Sequence, residues 1–178
     1  MKNARTVLFM ALLGAAATAR SQAPPAPQPG PEHKKLDYFA GKWSIDGEMK
    51  PGPWGPAGKM QATETCAWFE GGFTLTCNST GVGPAGKTSG LSLMGYSNEG
   101  KHYTFYGIDN SGWSGDAKGR LEGDTWTFVS ETTADGKPLR LRWMIKQLSP
   151  DSYTFKSESS LAGGPWAVMF EGKQARLK

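Results

Sequence analysis

From residue 43 onward the chain alternates apolar and polar side chains with a period of two. "KWSIDGEM" sets Trp43, Ile45 and Met49 against Ser44, Asp46 and Glu48, and "PLRLRWMIK" sets Leu139, Leu141, Trp143 and Ile145 against Arg140, Arg142 and Lys146. "GWSGDAKGRLEG" and "SYTFKSES" repeat the pattern, with Trp113, Ala117 and Leu121 forming the apolar face of the first and Tyr153 and Phe155 that of the second. One apolar face per segment marks half-buried antiparallel strands, and no stretch after residue 41 carries a helical period. The pattern predicts ten strands, at about 42–50, 59–69, 73–80, 88–96, 101–108, 113–122, 125–133, 138–148, 152–160 and 165–177. Short connections between successive strands favour an all-β, antiparallel up-and-down barrel.

The connections differ in length. Those after the second, fourth, sixth and eighth strands are tight ("EGG", "SNEG", "EGD", "SPD"), whereas "PGPWGPAG", "GVGPAG" and "LAGG" are longer. Alternate connections of a meander lie at the same end. One end is therefore expected to be sealed by tight turns. The other carries Gly- and Pro-rich loops and a mouth near Trp54, Trp113 and Trp166.

The first 21 residues stand apart. Lys2 and Arg5 precede an apolar run from Val7 to about Ala19, followed by small residues, which is the pattern of a secretory signal peptide cleaved near Ala19–Ala23. The run is shorter than the roughly 20 apolar residues of a membrane anchor. "QAPPAPQPGP" then reads as an extended spacer within residues 22–35, and the barrel domain is expected over 36–178. The formal charge of +4 falls with the leader: removing Lys2, Arg5 and Arg20 from 20 basic residues leaves 17 against 16 acidic ones. A balance near neutrality gives no support to a nucleic-acid partner, and the expected location is periplasmic or extracellular.

Both cysteines fall in "CAWFEGGFTLTC". With Gly71-Gly72 as a two-residue hairpin turn, Glu70 faces Phe73, Trp68 faces Leu75 and Cys66 faces Cys77. Directly opposed cysteines, about 5.5 Å apart at Cα in a hydrogen-bonded pair, can form a disulfide in an oxidising compartment. Two cysteines and two histidines are too few for a zinc site, so no metal is expected.

"LDYFAGKWSIDG" opens with Gly41-x-Trp43, which resembles the start of lipocalins and related calycin barrels. That resemblance implies that Trp43 plugs the closed end, with Arg176 or Lys173 packing over it. The longer run "LDYFAGKW", "WFEGGFTLTC" and "GYSNEGKHYTFYGIDNSG" resembles a bacterial family, domain of unknown function fifteen seventy-nine, over about residues 36–178. Its members carry a Leu-x-x-Phe-x-Gly-x-Trp opening, a Gly-Gly hairpin, Gly-Tyr-Asp, Lys-x-Tyr and Asp-x-x-Gly. This chain has Ser97 where that aspartate stands. The resemblance implies a calycin-like fold and no particular activity.

Catalytic motifs are missing. "GVGPAG" at 81–86 spells Gly-x-Gly-x-x-Gly, but a strand pattern follows it where a dinucleotide fingerprint opens a helix. There is no Gly-x-Ser-x-Gly and no His-Glu-x-x-His. His33 sits in or beside the leader. His102 is the one histidine within the expected domain, and either face of its strand could be inside; an inward His102 would make a haem-binding enzyme conceivable. Glu64 shares a face with Met60, Cys66 and Trp68, so it is either an inward carboxylate that contacts a ligand head group or is turned outward by a bulge.

The positive signal is aromatic: seven Trp, eight Phe and five Tyr. They either fill the barrel or line a cavity, and about eight strands already make room for one small ligand. The reading that follows is a barrel binding a small apolar or amphipathic ligand through Trp54, Glu64, Trp68, Tyr103, Phe105, Trp113, Trp143 and Trp166, with no cofactor and no catalytic residue. A filled barrel acting through its surface, including the outward Arg140, Arg142 and Lys146, is the rival.

Overall fold

A computed structural model describes residues 26–52 and 55–178. The expected leader and Trp54 lie outside these residues. Ten strands follow a short α-helix, α1 (Pro31–Lys35), and a 3-10 helix (Leu36–Phe39). They are β1 (Gly41–Met49), β2 (Gly58–Trp68), β3 (Thr74–Gly83), β4 (Gly86–Ser97), β5 (His102–Asp109), β6 (Ser114–Glu122), β7 (Thr125–Ala134), β8 (Lys137–Ser149), β9 (Ser152–Leu161) and β10 (Ala167–Arg176). Each strand pairs with the next, and β1 pairs with β10 from Trp43↔Arg176 to Met49↔Phe170. The result is a closed antiparallel barrel with no free edge among its strands. No helix of the described residues is long and apolar enough to cross a membrane.

Three local expectations are corrected. "GVGPAG" is not a long loop: β3 runs to Gly83, which pairs with Gly86 across the two-residue turn Pro84-Ala85. The hairpin around Gly71-Gly72 is longer than two residues. Phe69 N–H donates to Thr74 O (2.8 Å) and Gly72 N–H to Phe69 O (3.0 Å), with both glycines at positive φ. The register survives, because the extra residues are symmetric about the turn, and Cys66 still pairs with Cys77.

The third correction concerns the spacer. Residues 31–35 are helical, and His33, only 2% exposed, packs edge-on against Phe73 and Tyr96 at 5.2 and 5.9 Å between ring centroids. The Tyr103 hydroxyl donates to Glu32 Oε2. A five-residue helix that buries one polar ring leaves no apolar period to read.

The closed end is filled by aromatic rings. Phe39, Trp43, Tyr103, Trp126 and Tyr153 are buried and interlock, with centroids 5.2 Å apart for Phe39–Trp126, 5.0 Å for Trp43–Tyr153 and 4.6 Å for Tyr103–Trp126. Tilted and edge-on contacts at these distances suit the ring quadrupoles. Trp43 Nε1–H is satisfied by Phe39 O at 2.8 Å.

Arg176, rather than Lys173, covers the plug. Its guanidinium lies 4.3 Å from the Trp43 ring centroid and donates to Ala40 O and Tyr38 O at 2.5 and 2.9 Å. Gly41 permits this approach. Its φ is +117°, and a Cβ there would come within 2.6 Å of Arg176 Nη1.

Candidate ligand-binding site

Above the aromatic plug the barrel is hollow. A cavity of about 850 Å³ opens at the end opposite α1. Its walls include Ile45, Met60, Phe105, Phe128, Trp143 and Phe155. These side chains come from β1, β2, β5, β7, β8 and β9, and strand alternation aims them inward. Phe105 and Trp143 meet at 5.2 Å and Phe155 and Phe170 at 4.8 Å, so the rings form continuous wall.

The mouth is organised by "DNSGW". Asp109 Oδ1 accepts from the Ser111 N–H (2.8 Å), the Ser111 hydroxyl (2.6 Å) and the Trp113 N–H (3.2 Å). This Asx-type turn fixes the loop that carries Trp113. The indole folds back over Gly107 and Gly115, where added Cβ atoms would lie 3.0 and 2.8 Å from it. At 40% exposed, Trp113 is a rim residue.

The inner wall also carries polar groups, among them the small hydroxyls of Ser79, Ser130 and Ser157. Glu64 faces inward, opposite Trp43 on one side and Ser79 on the other. No bulge interrupts β2. Part of its surface borders the cavity, yet protein encloses it, and that burial raises its carboxyl to about 7. Tyr153 is raised well above its ordinary value by burial and then by the Glu64 carboxylate. Gln174 is another inward polar side chain, flanked by Ile45 and Tyr153.

Cys66 and Cys77 form a disulfide with a Cα separation of 4.0 Å. That spacing belongs to a non-hydrogen-bonded pair, closer than the 5.5 Å expected from the sequence. Glu64 and the two sulfurs lie within 4.8 Å of one another. The sulfurs are bonded to each other and offer no thiolate, so the trio does not hold a metal.

The eight residues anticipated as ligand contacts separate into groups. Glu64, Phe105, Trp113 and Trp143 line the cavity. Trp54 lies outside the described residues. Trp68 and Tyr103 do not reach the cavity: they belong to the closed end, where Trp68 Nε1–H donates to Asp37 Oδ1 (2.6 Å) and Tyr103 bonds Glu32. Trp166 also misses the cavity. Its ring lies 4.2 Å from the Arg142 guanidinium and 5.5 Å from that of Arg140, both on the outward parity of β8. The preceding turn at 162–165 folds the chain back, with Ser160 Oγ–H donating to Gly164 O, which puts the indole over the outside of the sheet.

Arg142 is not the free outward cation the alternation suggests. It pairs in register with Glu158 and donates to it through Nε (2.9 Å) and Nη2. Glu158 is 5% exposed. Burial alone would raise its carboxyl, but hydrogen bonds from Arg142 and Lys156 outweigh that and lower it. His102 takes the outer face; its Nδ1 lies 2.9 Å from Gly100 O, in the turn before β5. Sequence reasoning missed Gln174, because a single glutamine in "EGKQARLK" has no signal without the register of β10.

These features define a calycin-like β-barrel with an open, mostly apolar cavity. The crystal structure of Rv2717c from M. tuberculosis has a similar fold, with TM-score 0.59 and 16% identity over 84% of this chain and 99% of that one. The S-type phycobiliprotein lyase CPES from Guillardia theta is also similar, with TM-score 0.52 and 14% identity over 83% of this chain and 93% of that one. No curated protein matches the sequence. The chain belongs to the family described as protein of unknown function (DUF1579), whose pattern spans residues 28–176. Ser97, the departure noted above, accepts the Gly100 N–H at 2.9 Å, a turn-capping contact that an aspartate could also make.

Proposed function

We propose that the protein binds a small apolar or amphipathic ligand inside the barrel and works as a secreted or periplasmic carrier or sensor. The supporting observation is the cavity: about 850 Å³, open at one end, with largely aromatic and aliphatic walls and inward polar side chains that include Glu64 and Gln174. That volume falls in the range of small-molecule sites, roughly 300–1,000 Å³. A barrel acting only through its outer surface has no use for this space. The haem reading loses its candidate, because His102 is outside and no histidine lines the cavity among the described residues.

Native mass spectrometry of protein released gently from its cellular compartment tests the reading. A bound species of a few hundred daltons, removable by organic extraction, is expected. The extracted protein then binds a neutral apolar fluorophore, and Ala62→Trp, which projects an indole into the cavity, abolishes that binding. Unchanged binding in a folded Ala62→Trp variant would place the probe elsewhere and overturn the proposal.

A further inference from the structure

We infer that the ligand carries a cationic, hydrogen-bond-donating head, a primary amine on an apolar tail, which docks against Glu64 and Gln174. This rests on the binding reading above and adds the chemistry of the head group.

The argument starts from an imbalance of donors and acceptors. Gln174 is 5% exposed, lines the cavity, and its Oε1 is buried without a hydrogen-bond partner. Trp126 Nε1, the other such atom among the described residues, is not on the cavity wall. Glu64 lines the same cavity, and no donor or ion pair reaches it among the described residues. Buried acceptors without donors are costly, and the deficit is removed by a partner that brings N–H groups.

The two acceptors share a location. β2 and β10 both flank β1, with Glu64 opposite Trp43 and Gln174 opposite Ile45, two residues further toward the mouth. Their strands are about 10 Å apart, twice the ordinary interstrand spacing, and both side chains extend several bonds into the lumen. A compact ammonium with three N–H donors can serve both.

The charge of the wall points the same way. Asp109 also borders the mouth, with its Oδ1 engaged by Ser111 and Trp113, while Asp116 and Glu131 lie on the outward parity of their strands and Glu131 pairs with Arg140 at 3.2 Å. The one basic residue bordering it among the described residues, Arg142, is on the outward parity of β8, held by Glu158 and stacked on Trp166. A carboxylate or phosphate head would add acceptors and find no free cation. A cationic head finds the Glu64 carboxylate on the inner wall.

Calorimetric titration of the extracted full-length protein at pH 8 with decylamine, 1-decanol and decanoate tests this. Decylamine is expected to bind about tenfold more tightly than decanol, the scale of a charge-assisted hydrogen bond, and decanoate more weakly than decanol. Glu64→Gln narrows the amine-to-alcohol ratio to below about threefold. Should that variant fail to fold, the ranking of the three heads on the unmodified protein still decides. Equal affinities, or decanoate tightest, overturn the head-group assignment and leave the binding reading standing. If none of the three binds the folded protein, both fall.

Discussion

The Arg176 guanidinium lies 4.3 Å from the Trp43 ring centroid, joining the last strand to the first across the closed end. The same group satisfies the carbonyls of Ala40 and Tyr38 and forms an ion pair with Asp151 at 3.1 Å. Arg176→Ala removes a partly desolvated cation–π contact and strands two carbonyls, at a cost of about 2–4 kcal/mol. Urea unfolding should show that loss. Arg176→Lys should recover only part of it, since an ammonium cannot reproduce the planar fork. Lys173→Ala should change stability by less than about 0.5 kcal/mol.

The Cys66–Cys77 bond closes a short loop between paired strands. Replacing both cysteines with alanine should cost about 2–3 kcal/mol, the loop-entropy scale for a ring of this size. The strand register does not depend on the bond, so the far-ultraviolet circular dichroism should be unchanged while the melting temperature drops. Peptide mapping without reductant should find the two residues linked.

Glu64 gives stability a particular pH dependence. Its carboxyl titrates near 7 in the folded chain against an ordinary value of 4.5. Between those values the folded state holds a proton that the unfolded state has released, so stability falls as pH rises through this window. The loss above pH 7 is at most about 3 kcal/mol, and less where cavity water solvates the carboxylate. Glu64→Gln should flatten the stability profile between pH 4.5 and 7. Glu158, lowered by its cations, acts in the opposite sense, losing stabilisation as pH falls through its folded value. A Glu64→Gln profile as steep as that of the parent would refute the assignment.

Trp143 and Arg142 are neighbours in sequence and differ in role. Trp143→Ala enlarges the cavity and removes ring contacts with Phe105 and Phe128, so it should weaken binding of an apolar probe several-fold. Arg142→Ala should instead lower stability by about 2–3 kcal/mol, because it leaves the buried Glu158 with Lys156 alone. Its effect on probe affinity should be the smaller of the two. Paired measurements of melting temperature and probe affinity separate these outcomes.

Alternation made the barrel legible, since every strand has one wet face and one dry face. The pairing of Cys66 with Cys77 followed because any symmetric turn about Gly71-Gly72 preserves it. What stayed hidden depends on register between distant strands. Glu64 could be placed inward only once β2 was seen to lack a bulge, and Gln174 only once β10 was in register with β1. Trp166 was misread because β10 begins after a turn that folds back, and its register shifts between Val168 and Phe170. The α1 contact was invisible because Glu32 and His33 reach Tyr103, Phe73 and Tyr96 across the closed end.

The pairing of β1 with β10 also dictates an order of events. The seam joins Trp43 to Arg176, and Leu177 N–H donates to Lys42 O at 2.7 Å, so it cannot close until the chain has been synthesised through residue 177. Until then β1 has one unpaired edge, and the plug beneath the cavity lacks the arginine that covers it. Contacts spanning almost the full sequence make for slow folding. The nascent chain must keep this edge from pairing with its neighbours. Truncation of the final strand should therefore yield an aggregating β-sheet rather than a weaker barrel.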